Sequence, residues 1–264
     1  MSKKYAICYN SEMENSVSVM EKLSSILTSC CVNFDVMSID KLKSEYDFVF
    51  VIGGDGTILR AARFYSNYGS PIFGVNLGRL GFLSQTSIEN LETSIKKILD
   101  NDYLLETRMM LKANEQIALN DFVIKGDLSA RTSRFALEIN DKFVCEYFAD
   151  GIIISTPTGS TAYNMSAGGP VIAPNTEVIT IAPICPHTFS ARPLVVSSDS
   201  VIKILPCNDN TYKVSADGQV VFDMTSELTI TKANNKVHLA LLDENDFYSV
   251  LRNKLHWGIS PAKI

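Results

Sequence analysis

Long apolar runs are missing from this 264-residue chain. No stretch approaches the roughly 20 residues that a membrane helix needs, so a membrane-embedded protein is not expected. The apolar part of Met1–Tyr9 is too short for a signal peptide and reads as a first strand, ended by Asn10 and Ser11. Basic excess is missing too. Lys and Arg number 24 against 29 Asp and Glu, a net charge of −5, which argues against a nonspecific nucleic-acid binder. The six cysteines form no CxxC pair and no zinc-like spacing, and the three histidines include no HExxH. Most cysteines sit among apolar neighbours, so buried free thiols in a reducing, cytoplasmic setting are expected. No GxGxxG follows a strand, which disfavours a dehydrogenase. No GxxxxGK[ST] occurs, which excludes a P-loop NTPase.

What remains has the composition of a globular protein, 46% hydrophobic and 20% charged. Strand and helix patterns alternate over the first hundred residues. Strands are expected at Tyr5–Tyr9, Phe34–Ile39, Phe48–Ile52 and Pro71–Val75. Helical spacing links Val17, Met20, Leu23, Ile26 and Leu27, then Ile58 to Tyr65, then Ile88, Leu91, Ile95, Ile98 and Leu99. Thr86 and Glu89 have the spacing of a capping box for the last of these helices. Such alternation predicts a largely parallel sheet with helices on both faces. From about residue 103, β-branched and aromatic runs separated by turn signals take over. Asn140-Asp141 and Asp217-Gly218 sit where two hairpins should turn. An all-β unit of two packed sheets is expected. A helical look returns from Glu244 to Trp257. The expected architecture is an α/β N-terminal domain, Rossmann-like with a parallel-rich sheet, plus an all-β C-terminal sandwich domain. The first domain would comprise residues 1–102 with 244–264, and the second 103–243.

Two segments carry chemistry. Gly53-Gly54-Asp55-Gly56-Thr57 follows the apolar run Phe48–Ile52 directly. Glycines let backbone amides approach a bulky anion, and the helix that follows turns its positive end toward the same spot. A carboxylate is electrostatically wrong in a pure phosphate cradle. It becomes sensible if it holds a metal or takes a proton from a hydroxyl being phosphorylated. The bland alternative makes Asp55 a helix N-cap. The second segment, Asp150 to Pro170, runs from a strand into Ser155-Thr156-Pro157-Thr158-Gly159-Ser160-Thr161-Ala162-Tyr163. Its hydroxyls and bare backbone can hydrogen-bond ribose and phosphate oxygens without excluding a nucleotide.

Together these segments strongly resemble the NAD kinase family. The matching runs fall in order: GGDGT at 53–57, GVNLGRLGFL at 74–83, LND at 119–121, DGIIISTPTGSTAYNMSAGGP at 150–170, PICPHTFSARPLV at 183–195 and SADGQ at 215–219. GGDGT alone is shared with diacylglycerol and sphingosine kinases and phosphofructokinases, so the Ser/Thr/Gly segment discriminates. The resemblance implies transfer of a phosphoryl group from ATP to the 2′-hydroxyl of the adenosine ribose of NAD, giving NADP. It implies Mg²⁺ or another divalent metal with the ATP, and leaves open whether polyphosphate replaces ATP as the donor. It further implies an active site between the domains and a homotetramer whose neighbouring subunit completes the NAD site. Nucleic acid and membrane are not expected as partners.

Residue by residue, the resemblance makes Asp55 the general base or the group that orients the attacking oxygen. Gly53, Gly54, Gly56 and Thr57 would line the triphosphate, with Arg79 as the phosphate-binding cation and Arg192 as a second candidate. Phe82 would pack on adenine, with a plain core role as its alternative. Asn120 and Asp121 stand where the family carries an Asn-Glu pair on the NAD riboses, the Asp being one methylene shorter. Thr158, Thr161, Ala162, Tyr163 and Ala182 fall at further NAD positions, with Asp150 and Ser166 toward the nicotinamide end. His187 reads as structural. Asp217-Gly218-Gln219 reads first as a hairpin turn and second as a nucleotide contact. A lipid or sugar kinase would leave the 150–170 segment without a role, and a noncatalytic NAD(P) sensor could dispense with Asp55.

Overall fold

The computed structural model describes residues 3–78, 81–126, 133–207, 212–242 and 246–258. It divides into two compact units, Met1–Thr107 with Val237–Ile264, and Arg108–Lys236.

In the first unit, β1 (Tyr5–Tyr9), α1 (Ser16–Ser29), β2 (Phe34–Ser38), β3 (Phe48–Ile52), α2 (Asp55–Tyr65), β4 (Ile72–Val75), β5 (Ser84–Thr86) and α3 (Leu91–Leu99) follow one another. The strands run parallel in the order β2-β1-β3-β4, with β5 parallel beside β4. Every residue of β3 is buried, as a central parallel strand covered on both faces requires. One face, with Tyr5, Ile7, Phe48, Phe50 and Ile52, packs against Val19, Leu23 and Leu27 of α1 and against Leu91, Ile95 and Ile98 of α3. Cys8 points the opposite way along β1 and meets the Tyr65 hydroxyl of α2 at 3.5 Å. Helices therefore cover both faces.

The third helix starts later than its periodicity suggested. Thr86 closes β5 and its hydroxyl pairs with Ser94 Oγ at 2.8 Å, while Asn90 takes the N-cap position without a side-chain cap. The Thr86–Glu89 capping box does not form, because pairing with β4 claims Thr86. The short strand β5 was not foreseen either, since three polar residues carry no apolar period.

In the second unit, β6 (Leu104–Ala113) and β7 (Gln116–Ala118) form a hairpin, and β8 (Asp121–Gly126), β9 (Ser133–Ile139), β10 (Lys142–Ala149) and β11 (Gly151–Ser155) follow. A 3-10 turn at Thr158–Thr161 leads into the single-turn helix α4 (Tyr163–Ser166). Then come β12 (Val178–Ile184), β13 (Leu194–Ser197), β14 (Ile202–Pro206), β15 (Tyr212–Ala216), β16 (Val220–Met224) and β17 (Leu228–Leu241). The antiparallel order β13-β12-β11-β8-β15-β16 makes one sheet. The pairs β10·β9, β9·β14 and β14·β17 build the other. Phe122, Ile124, Ile152, Ile154 and Ile181 from the first meet Phe135, Leu137, Ile202, Ile204 and Ile230 from the second in one buried core.

Both foreseen hairpins form. Asn140 and Asp141 take φ of 52° and 59°, and Asp217 and Gly218 take 52° and 65°, the left-handed values that suit a two-residue turn. The unit boundaries fall inside β6 and β17, and the C-terminal end of β17 pairs parallel with β4 at Leu239↔Ile72. The tail forms α5 (Phe247–Leu255), capped by Asp246, whose carboxylate accepts from Ser249 N at 2.9 Å. All six cysteines are free, as expected, but burial was overestimated. Cys8 is buried and Cys145 intermediate, whereas Cys30, Cys31, Cys185 and Cys207 are exposed. The exposed four lie outside helix and strand: Cys30 and Cys31 just past the end of α1, Cys185 past β12 and Cys207 past β14.

Candidate active site

The glycine turn leaves the C-terminal end of β3, where ligands gather in sheets of this kind. Gly53 sits against the first turn of α2, and a Cβ there would lie 2.5 Å from Thr57 Oγ1. Gly54 is the N-cap, and its carbonyl accepts from Thr57 N at 2.9 Å and Ile58 N at 3.2 Å. Asp55 is therefore the first residue inside the helix, and the bland N-cap role falls to the glycine.

The Asp55 carboxylate is held from across the unit. Phe82 N donates to Oδ2 at 3.0 Å and Leu83 N to Oδ1 at 3.2 Å. This approach is open only because residue 81 is glycine, since a Cβ there would lie 1.9 Å from Asp55 Oδ1. The holding loop is itself pinned. Gly81 N donates to Ser84 Oγ at 2.7 Å, and Asn76 Nδ2 donates to the same oxygen at 3.1 Å. Motif reading singled out Phe82 for its ring, but its backbone is what touches Asp55. The ring lies half-buried, 6.5 Å from that of Phe247, with Lys254 Nζ 5.0 Å above it. Arg79 lies outside the described residues.

In the second unit, Asn120, Asp121, Ala162 and Tyr163 share a cavity of about 390 Å³ with Lys125, Lys213, Ser215 and Asp217 among its other walls. The backbone of Leu119–Asp121 is fully engaged. Leu119 O accepts from Thr156 Oγ1 at 2.6 Å, and Asn120 O accepts from Thr156 N at 2.8 Å. The amides of Leu119, Asn120 and Asp121 donate to the Asp217 carboxylate at 3.1, 2.7 and 3.3 Å. The side chains of Asn120 and Asp121, by contrast, make no hydrogen bond with any described residue. Tyr163 is 37% exposed, and Lys125 Nζ sits 5.2 Å from its ring centroid.

Asp121 is only 5% exposed. Burial, with the neighbouring Asp217 carboxylate adding to it, pushes its pKa up to about 7. An acid raised in this way stabilises the fold fully below its unfolded value of about 4 and loses that contribution as pH rises to about 7. Asp121→Asn removes the buried charge and with it the repulsion from Asp217, so its melting temperature should gain on the wild type between about pH 5 and pH 8, by an equivalent of about 2 kcal/mol. Thermal melts across that range check it. A difference that stays constant with pH would overturn the account of a repelled buried pair.

The remaining candidates lie elsewhere in this unit. Thr158 and Thr161 belong to the 3-10 turn, where Thr158 Oγ1 accepts from Arg108 Nη1 at 3.2 Å. Ala182 is fully buried in a small cluster with Val123, Ile153 and Ile184, so its methyl group does not reach the cavity. Asp150 and Ser166 are exposed and lie outside the cavity wall. His187 Nε2 is 4.0 Å from Asp150 Oδ1 and its ring packs on Phe148 at 5.0 Å. Arg192 donates to the carbonyls of Phe189 and Ala191, both at 2.7 Å. Sequence reasoning missed Asp217 as the holder of the Leu119–Asp121 turn. Its signal, the run SADGQ, was visible but carried more weight as a turn.

A covered parallel sheet ending in a glycine turn, and a β-sandwich with an open cavity rimmed by Asn120, Asp121 and Asp217, together define a two-unit nucleotide-handling protein. Known proteins narrow that class. Residues 2–103 match the ATP-NAD kinase N-terminal domain and residues 119–242 the ATP-NAD kinase C-terminal domain. The chain is 43% identical to the NAD kinase of Caldanaerobacter subterraneus subsp. tengcongensis over 228 residues, 82% of this chain and 81% of that one. It is 36% identical to the NAD kinase of Clostridium botulinum strain Loch Maree over 273 residues, 97% of each. Among solved structures, an NAD kinase from Archaeoglobus fulgidus in complex with ATP superposes with a TM-score of 0.82 at 29% identity, covering 94% of this chain and 98% of that one. A yeast NADH kinase complexed with NADH shares the fold, with a TM-score of 0.84 at 24% identity, covering 98% and 89%. The chain belongs to the ATP-NAD kinase family.

Proposed function

We infer that the protein transfers a phosphoryl group from ATP to the 2′-hydroxyl of the adenosine ribose of NAD, giving NADP. One observation supports this most directly. On a chain whose two halves match the ATP-NAD kinase domains in order, Asn120 and Asp121 face a cavity with engaged backbones and with side chains that have no hydrogen-bond partner among the described residues. Hydroxyl-rich ligands such as riboses supply the partners those groups lack.

Asp55, Asn120 and Asp121 have separate tasks in this reading. Asn120 and Asp121 grip ribose hydroxyls, and Tyr163 offers its exposed ring face to a base. Asp55, fixed by two amides, orients the attacking hydroxyl and takes its proton. Gly53, Gly54, Gly56 and Thr57 line the triphosphate at the N-terminal end of α2, where the positive end of the helix dipole favours its charge. Phosphoryl transfer depends more on positioning and charge stabilisation than on proton removal. A divalent metal bound with the ATP would supply charge neutralisation at the phosphates.

Among the described residues, no helix is long and apolar enough to cross a membrane. A cytoplasmic site of action fits the six free cysteines. Association into a homotetramer is supported by exposed apolar side chains on the second unit, among them Phe143, Val195 and Val221, and sedimentation of the full chain reads it.

The reaction is tested by incubating the purified protein with ATP, magnesium and NAD and measuring NADP with an NADP-specific dehydrogenase. NADP is the expected product. Its absence from folded protein that binds NAD, with ATP and with polyphosphate alike, would reject the kinase reading in favour of a noncatalytic NAD(P) sensor.

A further inference from the structure

The Leu119–Asp121 turn is held in an uneven way. Two of its carbonyls are taken by Thr156, a residue of the adjoining segment, and a Cβ at Gly159 would lie 2.2 Å from Asn120 O. Its three amides converge on a single side chain, Asp217, which reaches them from the β15–β16 hairpin nearly a hundred residues later. Asp217 N returns a bond to Asp121 O at 2.9 Å, so hairpin and turn are latched in both directions. Asp217 is 9% exposed and takes φ 52°, a left-handed conformation that Asn and Asp tolerate better than other non-glycine residues.

We propose that Asp217 is a positioning residue for NAD, holding the turn that presents Asn120 and Asp121 to the cavity. The proposal rests on the NAD-binding reading of that cavity. Two features support it. Asparagine in place of the carboxylate leaves one acceptor oxygen for the three amides and sets an NH₂ group in place of the other, so the turn loses part of its anchor on that side. The same carboxylate is the charge that adds to burial in raising the Asp121 pKa to about 7. The other charged or titratable groups around the cavity are differently engaged. Lys213 pairs with Asp223 at 2.5 Å, and Lys125 lies over the Tyr163 ring. Across from Asp121 on β11 stands Ser155, which is uncharged.

The test uses the full chain as wild type, Asp217→Asn and Asp121→Asn, with NAD affinity by calorimetry and steady-state kinetics from about pH 5.5 to 8.5. Asparagine keeps the left-handed turn while removing the charge. In Asp217→Asn, Kd and KM for NAD should rise about tenfold or more, with KM for ATP and kcat within about twofold. With the Asp121 pKa raised to about 7, the NAD-affinity profile of the wild type should step near that pH, and the step should move to lower pH in Asp217→Asn and vanish in Asp121→Asn. A purely structural role would not move that step. Unchanged NAD affinity in folded Asp217→Asn overturns the proposal. So does a parallel rise of both KM values with the step unmoved. Should Asp217→Asn fail to fold, a step that persists near pH 7 in Asp121→Asn overturns it instead. A wild type that binds NAD with the expected profile but makes no NADP would sink the kinase reading and leave the positioning role standing.

Discussion

Asp55→Asn should lower kcat for NADP formation by about 10²- to 10⁴-fold, with KM for NAD changed only a few-fold. The substitution does more than remove a charge. Both carboxylate oxygens accept backbone N–H groups, from Phe82 and Leu83. An asparagine has one acceptor oxygen and one NH₂, so one of those amides faces a donor instead of an acceptor. The side chain loses its hold as well as its basicity, and both losses should fall on the transfer step rather than on NAD binding. Steady-state kinetics with the coupled NADP assay read the effect. A residual kcat above about a tenth of the wild type would show that Asp55 is not central to the chemistry.

The second large effect is expected from a residue that carries no functional group. Gly81→Ala places a methyl group 1.9 Å from Asp55 Oδ1 and 2.6 Å from its Cγ. Either the loop or the carboxylate must move. The loop is tied to Ser84 by Gly81 N and backed by Asn76, whereas the carboxylate can rotate about its side-chain bonds. Asp55 should therefore be displaced, and a displacement of about 1 Å at a reacting group costs about 10²-fold in rate. The expected result is a kcat reduced about a hundredfold in a protein that still melts cooperatively. Gly78→Ala, in the same loop but with no atom of the described residues within 4 Å of its added Cβ, is the matched control and should stay near wild type. Equal losses in the two variants would mean that the loop tolerates no alanine anywhere, and that Asp55 is not specifically the group displaced.

These expectations show how unevenly the molecule could be read from its residues. The parallel strands and their helices were legible because burial on both faces writes continuous apolar runs, as in Phe48–Ile52, and one-sided burial writes a 3.6-residue period, as in α1. The hairpins at Asn140-Asp141 and Asp217-Gly218 were legible because left-handed turns demand those residue types. The start of α3 was misplaced, since strand pairing overrode a local capping signal at Thr86. The exposed cysteines were misjudged because apolar neighbours in sequence are not neighbours in space.

By itself, the sequence determined the two-part α/β and β-sandwich architecture and the residue types at the glycine turn, the LND run and the Ser/Thr/Gly segment. All of these depend on local chemistry: backbone freedom at glycine, hydroxyl donors, periodic burial. Only the tertiary structure decided that Gly81 makes room for the Asp55 carboxylate, that two amides hold it, and that Asp217 gathers the amides of residues 119 to 121. It alone decided that Asp121 stands buried beside a second carboxylate. The partners in these arrangements lie 26 to 98 positions apart or on separate strands, and hydrogen bonds of a few ångströms across such separations leave no period or spacing in the chain.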